Sequence, residues 1–330
     1  MIVARSAAPL ILTSLLLWLI SYAVDSREIL RQLSAMHPGF FALAVILMLL
    51  STAITSLRYQ TVLQALCPDG SVNFFPLIKL NLLTLFSAHF LPFGALADAM
   101  RAVVSRKLLK IPVGMAVEGV IADRSLAVAG FALFGLLFLP VQIGLHWPWP
   151  LIMTQAAAFG GLLTLLAVAG FGFTRRPGFL KPVAQAARRF VRHLAPRRGL
   201  SWQLCLAAAS TGLFAAILVL LALSLGLHLS LWIALAVAPA IYLSQVVPIF
   251  YAGFGSREVA LAALLVPSGV LVNSDAVALG LSIGLCNLAA SLPGAISAWS
   301  LVRVLGPQTM VVAPSDHRHP PAAKGRRVLP

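Results

Sequence analysis

The sequence predicts an all-α polytopic membrane protein with about six full spans and two re-entrant hairpins inserted from opposite faces, an inverted-repeat, transporter-like architecture. Three observations predict it. The first is composition: 60% of the 330 residues are apolar and 10% charged, with a mean hydropathy of +0.96. A soluble domain spends roughly a quarter of its residues on charge to keep its surface hydrated. The second is that the apolar residues gather into stretches of bilayer length. The third is the sorting of the charge, 24 Lys plus Arg against 9 Asp plus Glu. In so apolar a chain that excess points to the positive-inside rule and to anionic lipid head groups rather than to nucleic acid. Disordered, collagen-like and disulfide-stapled classes need other compositions. Cys67, Cys205 and Cys286 are scattered and odd in number, without metal spacing, the pattern of core or lipid-facing thiols.

A spanning helix takes about 20 mostly apolar residues. The first candidate runs from Ala7 to Val24 after Arg5. Ser21 and Ala23 fit a signal-peptidase site, but a retained signal anchor suits a polytopic chain better. The second runs from Phe40 to Leu57 and stops at Arg58. Further spans are expected from Pro112 to Leu139, Pro150 to Phe173, Trp202 to Leu225 and Asn273 to Val302. Trp147, Trp149, Trp202 and Trp299 fall where an aromatic belt would place them.

Two regions depart from this pattern. From Asn73 to Leu91 the chain is apolar but carries Lys79, Asn81 and His89; it breaks at Pro92-Phe93-Gly94 and resumes through Asp98 and Arg101 to Arg106, Lys107 and Lys110. From Leu231 to Val247 it is again apolar, breaks between Pro248 and Gly255 with Gly253 inside the break, and resumes at Ser256-Arg257-Glu258. An apolar arm, a Pro/Gly break and a second arm too short or too polar to span predict a re-entrant hairpin.

Charge placement tests the count. The loop 174–199 holds eight basic residues and no acid, and the tail 304–330 is basic and expected to be disordered, so both belong on the cytoplasmic side. An even number of crossings must separate them. Three results if the segment from Leu231 is a full span, and two if it forms a hairpin with the segment from Ser256. The same reasoning in the first half gives a hairpin entering from the cytoplasm. The organisation is therefore one transmembrane domain over 1–303 and a tail, with both termini cytoplasmic. The basic loop, with Arg188, Arg189 and Arg192 along one face, serves as a topology signal or as a contact for anionic lipid.

Ionisable groups in apolar segments cost a few kcal/mol each and so face a partner or an aqueous cavity. Here they are Arg58, Lys79, His89, Asp98, Arg101, Glu118, Asp123, Arg124, Arg257 and Glu258. Asp98 and Arg101, at i,i+3, can meet on one helical face. Asp123 and Arg124 are turned about 100° apart and take different partners. Helices starting at Gly94 and Gly255 present unpaired N–H groups within the membrane, with Ser256 expected to cap the second, and Arg257 beside such an end offers a seat for phosphate. Two alternatives stand beside this: pairing of Arg257 with Asp98 or Asp123 merely to hold the hairpins in the bundle, and for His89 a hydrogen-bonded core position. No hydrolase, metalloprotease or nucleotide-loop motif occurs and no His/Asp cluster has metal spacing, so neither catalytic residues, nor a metal, nor a cofactor is expected.

Asn81, the break Leu91-Pro92-Phe93-Gly94, Asp98 with Arg101, Ala122-Asp123-Arg124, and Pro248 followed by Gly253-Phe254-Gly255-Ser256-Arg257-Glu258 together resemble the flippase-like transmembrane domain of lysylphosphatidylglycerol synthases over about residues 7 to 303. The resemblance implies movement of anionic, aminoacylated or isoprenoid-type lipids between leaflets. It places Asp98, Arg101, Asp123, Arg124, Arg257 and Glu258 at the family's charged positions. The soluble transferase domain of the full synthases has no counterpart in these residues, so lysyl-lipid synthesis is not expected. The first break carries Phe-Gly-Ala where the family often has more glycines. The expected function is a non-enzymatic lipid flippase. The alternative is a non-transporting accessory or scaffold subunit of a lipid- or glycan-synthesis complex, in partnership with a lipid-synthesis enzyme.

Overall fold

The computed structural model describes residues 26–67, 72–90, 94–172, 199–246 and 253–298, together with Ser14. The first predicted span, the basic loop, the tail, Pro92, Pro248 and Trp299 lie outside the described residues. Within them the chain is helical throughout: α1 (Ser26–Ser34), α2 (Pro38–Leu66), α3 (Phe74–Phe90), α4 (Gly94–Leu109), α5 (Val113–Leu137), α6 (Leu139–Gly144), α7 (Trp149–Gly172), α8 (Gly199–Ser224), α9 (Leu231–Val246), α10 (Ser256–Leu265) and α11 (Asn273–Ser291). Among the described residues five stretches are long and apolar enough to cross a membrane: Pro38–Leu66, Val113–Gly144, Trp149–Ala167, Ser201–Ser224 and Asn273–Ala298. They correspond to the five described spans predicted from sequence. α3 and α9 are shorter apolar helices.

The helix starts follow local chemistry. Pro38 and Pro112 stand at the beginnings of α2 and α5, where a missing N–H costs nothing. Pro239 interrupts α9, and the buried Gln142 of α6, paired to Gln155 of α7 at 3.0 and 3.1 Å, donates to the Ala236 carbonyl in the disrupted turn at 3.2 Å.

Polarity is sorted inside out. Large apolar side chains such as Ile46, Leu50, Leu137, Leu165 and Ile296 are exposed, with Trp149, Trp202 and Trp232. Arg58, Arg101, Asp123, Arg257 and Glu258 are buried. In water this arrangement would be ruinous; in lipid the exposed apolar surface is solvated by acyl chains and the charges must find partners within the bundle. Trp147, expected in the aromatic belt, is instead buried in the core. The core centres on α8, whose Ala215, Ile217, Leu218 and Leu221 pack against α2, α9 and α11, with a second cluster from Tyr59 and Leu63 of α2 to Leu77, Leu80 and Val120.

Two sets of contacts fix how the ends are grouped. At one end, the His37 N–H preceding α2 donates to Ser224 O at the close of α8 (2.8 Å), and Gln32 of α1 donates to Asp275 at the start of α11 (2.8 Å). At the other end, Cys67, just past α2, meets Met115 at the start of α5, with 3.4 Å between sulfurs. Thus 225–272, containing α9 and α10, leaves and returns at the N-terminal end of α2, and 68–112, containing α3 and α4, does so at its C-terminal end. α3 packs on α4 and α9 on α10.

Candidate functional site

The charged residues of the two short-helix pairs converge on the bundle interior. Asp123 of α5 is fully buried and accepts from Arg58 Nε of α2 at Oδ1 (2.8 Å) and from Arg101 Nη1 of α4 at Oδ2 (2.9 Å). The Arg101 guanidinium lies 3.8 Å over the ring of Tyr59, whose hydroxyl is 3.0 Å from Ser105 Oγ. Arg101 Nε and Nη2 are buried and have no hydrogen-bond partner among the described residues. Arg124, one residue on from Asp123, turns to Asp98 of α4, with Nη2 at 2.7 Å and Nε at 3.0 and 3.1 Å from the carboxylate oxygens. That pair is partly open, at 44% and 26% side-chain exposure.

The expected meeting of Asp98 with Arg101 therefore does not occur. Both residues look across to α5, where consecutive residues supply the opposite charges. Asp123 and Arg124 take different partners, as their 100° separation requires.

Arg257 of α10 stands apart. It is 1% exposed, among the described residues its Nε and Nη2 have no hydrogen-bond partner, and its guanidinium carbon lies 4.6 Å from the centre of the Phe254 ring. Among the described residues no carboxylate pairs with it, so the expected packing partners Asp98 and Asp123 are corrected: both are occupied by other arginines. Glu258 is buried too, and its Oε2 accepts the Gly255 N–H at 2.6 Å while Oε1 has no partner. Ser256 does not cap α10; Gly255, at φ +91°, is the N-cap residue, Glu258 folds back on it, and Ser256 Oγ donates to Gly253 O at 3.0 Å. A left-handed backbone at this point favours glycine, which leaves no capping side chain and hands that role to Glu258.

α10 enters the bundle because α11 makes room. A Cβ at Gly280 would lie 3.0 Å from Glu258 Cα, and one at Gly284 would lie 2.7 Å from Arg257 Nη2. Bracketing the same region, α2, α5, α8, α9 and α11 line a partly open cavity of about 100 Å³. Arg58, Ser51 and Thr55 line one side, Ser210, Gln245 and Asn287 supply further polar groups, and Phe131 stacks on Tyr242 at 3.7 Å on its wall. His89 takes the core position, its Nδ1 2.9 Å from Leu85 O. Lys79 is exposed. Among the described residues no group of three or more His, Cys, Asp or Glu is arranged to hold a metal ion.

Sequence reasoning counted Arg58 among the ionisable groups needing a partner or a cavity but gave it neither and left it out of the site. The signal was present: Ser51, Thr55 and Arg58 recur at i, i+4 and i+7, a polar stripe on one face of an otherwise apolar helix.

A sequence profile of the lysylphosphatidylglycerol synthase transmembrane region matches residues 6–294. The chain belongs to that family. As a member of the lysylphosphatidylglycerol synthase transmembrane-region family it is an integral membrane protein, and the family places it among proteins tied to membrane lipids. It is also similar to a UPF0104 membrane protein of Methanothermobacter thermautotrophicus, 26% identical over 190 residues, 57% of this chain and 51% of the relative. The match thus spans about half the length of that relative.

Proposed function

We propose that this family member is a lipid flippase that carries a lipid head group between leaflets of a bacterial cytoplasmic membrane through a polar path in the bundle, without a catalytic step. The observation that carries the reading is Arg257, buried beside the N-terminus of α10 with two guanidinium nitrogens unspent and, among the described residues, no carboxylate at salt-bridge distance, its neighbour Glu258 being turned to the Gly255 N–H. Leaving a buried cation unpaired costs several kcal/mol, a cost that a resident packing role does not offset but an arriving anion does. A guanidinium with unspent N–H donors at the positive end of a helix dipole is what a phosphate needs, the Gly255 N–H itself being held by Glu258. Arg101, Asp98, Asp123, Arg124 and Glu258 complete the polar interior.

The topology that serves this role has α3–α4 as a hairpin entering from the cytoplasm and α9–α10 as one entering from outside. Its support is the grouping of helix ends: each pair leaves and returns at one end of α2, and the two ends are opposite ends of a 29-residue helix. Such a helix is about 43 Å long, enough to cross the bilayer. Broken helices inserted from the two faces are the arrangement of alternating-access transporters, with both termini of this chain then cytoplasmic.

Reconstitution tests the reading. Arg257→Gln in proteoliposomes is expected to abolish movement of a fluorescent anionic lipid between leaflets while the purified protein melts no lower than wild type. Undiminished transport would remove Arg257 from the site. The accessory-subunit reading predicts no transport by the wild-type chain and co-purification with a synthase.

A further inference from the structure

Resting on the translocation reading, we propose that this site takes an anionic phosphodiester bearing an uncharged, hydroxylated group, a glycerol or a sugar, and turns away cationic aminoacylated head groups. The inference comes from counting which ionic groups are already spent. Both oxygens of Asp123 hold arginines, and both oxygens of Asp98 hold Arg124. Glu258 Oε2 holds the Gly255 N–H. Among the described residues, the three carboxylates of this cluster, Asp98, Asp123 and Glu258, leave one oxygen, Glu258 Oε1, against Nε and Nη2 of both Arg101 and Arg257, while Glu118, earlier on α5, makes contacts of its own. The interior is an acceptor-poor, donor-rich environment. An ammonium entering it finds one free oxygen next to an arginine, whereas a phosphate finds several free N–H donors.

The cavity supplies the second half of the specificity. It is lined by Ser51, Thr55, Tyr242, Gln245 and Asn287, with Arg58 and no carboxylate among its lining residues. Hydroxyl and amide groups both donate and accept, which suits a polyol, while a second ammonium finds no carboxylate there to balance its charge. Its volume of about 100 Å³ is several times the roughly 10–15 Å³ that one water requires.

The two halves adjoin. Gln245 packs against Gly253 at the hairpin break, where a Cβ would lie 3.3 Å from Gln245 Cγ. Asn287 is three residues beyond Gly284, the glycine that abuts Arg257 Nη2. Three residues of helix are about 4.5 Å along the axis, the scale of the step from a phosphate to the group esterified to it.

The full chain in proteoliposomes, with fluorescent phosphatidylglycerol, phosphatidylinositol, phosphatidic acid and lysyl-phosphatidylglycerol, tests this when translocation is read alongside lipid retained in native mass spectrometry. Phosphatidylglycerol or phosphatidylinositol is expected to bind and move at least about tenfold better than lysyl-phosphatidylglycerol, and these two arms separate glycerol from a sugar-sized ring polyol. Asn287→Leu is expected to erase the advantage of the hydroxylated lipids over phosphatidic acid while phosphatidic acid still binds. Asn287→Asp, nearly isosteric, is expected to narrow the gap to lysyl-phosphatidylglycerol. Equal or better handling of lysyl-phosphatidylglycerol, or of phosphatidic acid, by the wild-type chain overturns this inference and leaves translocation standing. Binding and movement of no lipid at all overturns translocation itself, and this inference with it.

Discussion

Arg58 Nε lies 2.8 Å from Oδ1 of Asp123, a residue 65 positions away in sequence, with both side chains buried. Arg101 holds the other oxygen of the same carboxylate. One acid therefore stitches α2, α4 and α5 together, and its removal leaves two buried guanidiniums facing each other. Asp123→Asn is expected to destabilise the protein by about 3–5 kcal/mol, the cost typical of breaking a buried ion pair from one side. Replacing the whole triad with Arg58→Met, Arg101→Met and Asp123→Leu is expected to cost far less in thermal unfolding, since no unpaired charge remains. A single variant as stable as wild type would show that the triad does not hold the helices.

The neighbouring pair is less enclosed than the triad. Arg124 and Asp98 make a bidentate contact at partial exposure, and exposed pairs contribute up to about 1 kcal/mol. Asp98→Asn is expected to leave the melting temperature within a few degrees of wild type. In the transport assay the swap of Asp98→Arg with Arg124→Asp is expected to recover more activity than either change alone. Equal loss in the swap and the single variants would show that position, not pairing, matters.

Most of the fold was legible because lipid imposes a simple rule: long apolar runs become helices, and a run too short or too broken to cross becomes something else. The charges were harder, since a sequence shows spacing along one helix while ion pairs are made between helices. Arg58 looks like the end of a span because hydropathy falls there, yet α2 continues to Leu66 and the charge is answered by Asp123. Asp98 and Arg101 have the spacing of a pair, but α5 presents both an acid and an arginine to α4 and the stronger geometry is across. Ser256 has the composition of a cap; the backbone at Gly255 decided against it. Arg257 was legible as a candidate because its one local counter-charge is its neighbour Glu258, which reaches back to the Gly255 N–H rather than to the guanidinium.

Gly284 offers a way to disturb Arg257 without touching it. A methyl group there would come within 2.7 Å of Arg257 Nη2 and 2.5 Å of Phe254 Cε1. Gly284→Ala is expected to displace the guanidinium and lower transport by tenfold or more, at an overpacking cost of about 1–3 kcal/mol. Gly212→Ala on α8, where a Cβ meets nothing within 4 Å, is the matched control and is expected to transport normally. Full activity in Gly284→Ala would mean that the side chain relaxes without consequence.

The hairpin topology makes a prediction that counting apolar helices does not. If 225–272 enters and leaves on one side, His228 and Asn273, both exposed at its two ends, face the same compartment. If α9 instead crosses the membrane, they face opposite compartments. In a background lacking Cys67, Cys205 and Cys286, His228→Cys and Asn273→Cys are both expected to react with an impermeant maleimide from outside intact cells. A cysteine at Lys110, at the close of the α3–α4 pair, is expected to react only after the membrane is opened. The contacts from the α1–α2 region to Ser224 and Asp275 require the first two sites to agree, because one short segment touches both ends. Labelling of His228→Cys and Asn273→Cys from opposite sides would refute the hairpin and, with it, the inverted arrangement on which alternating access depends.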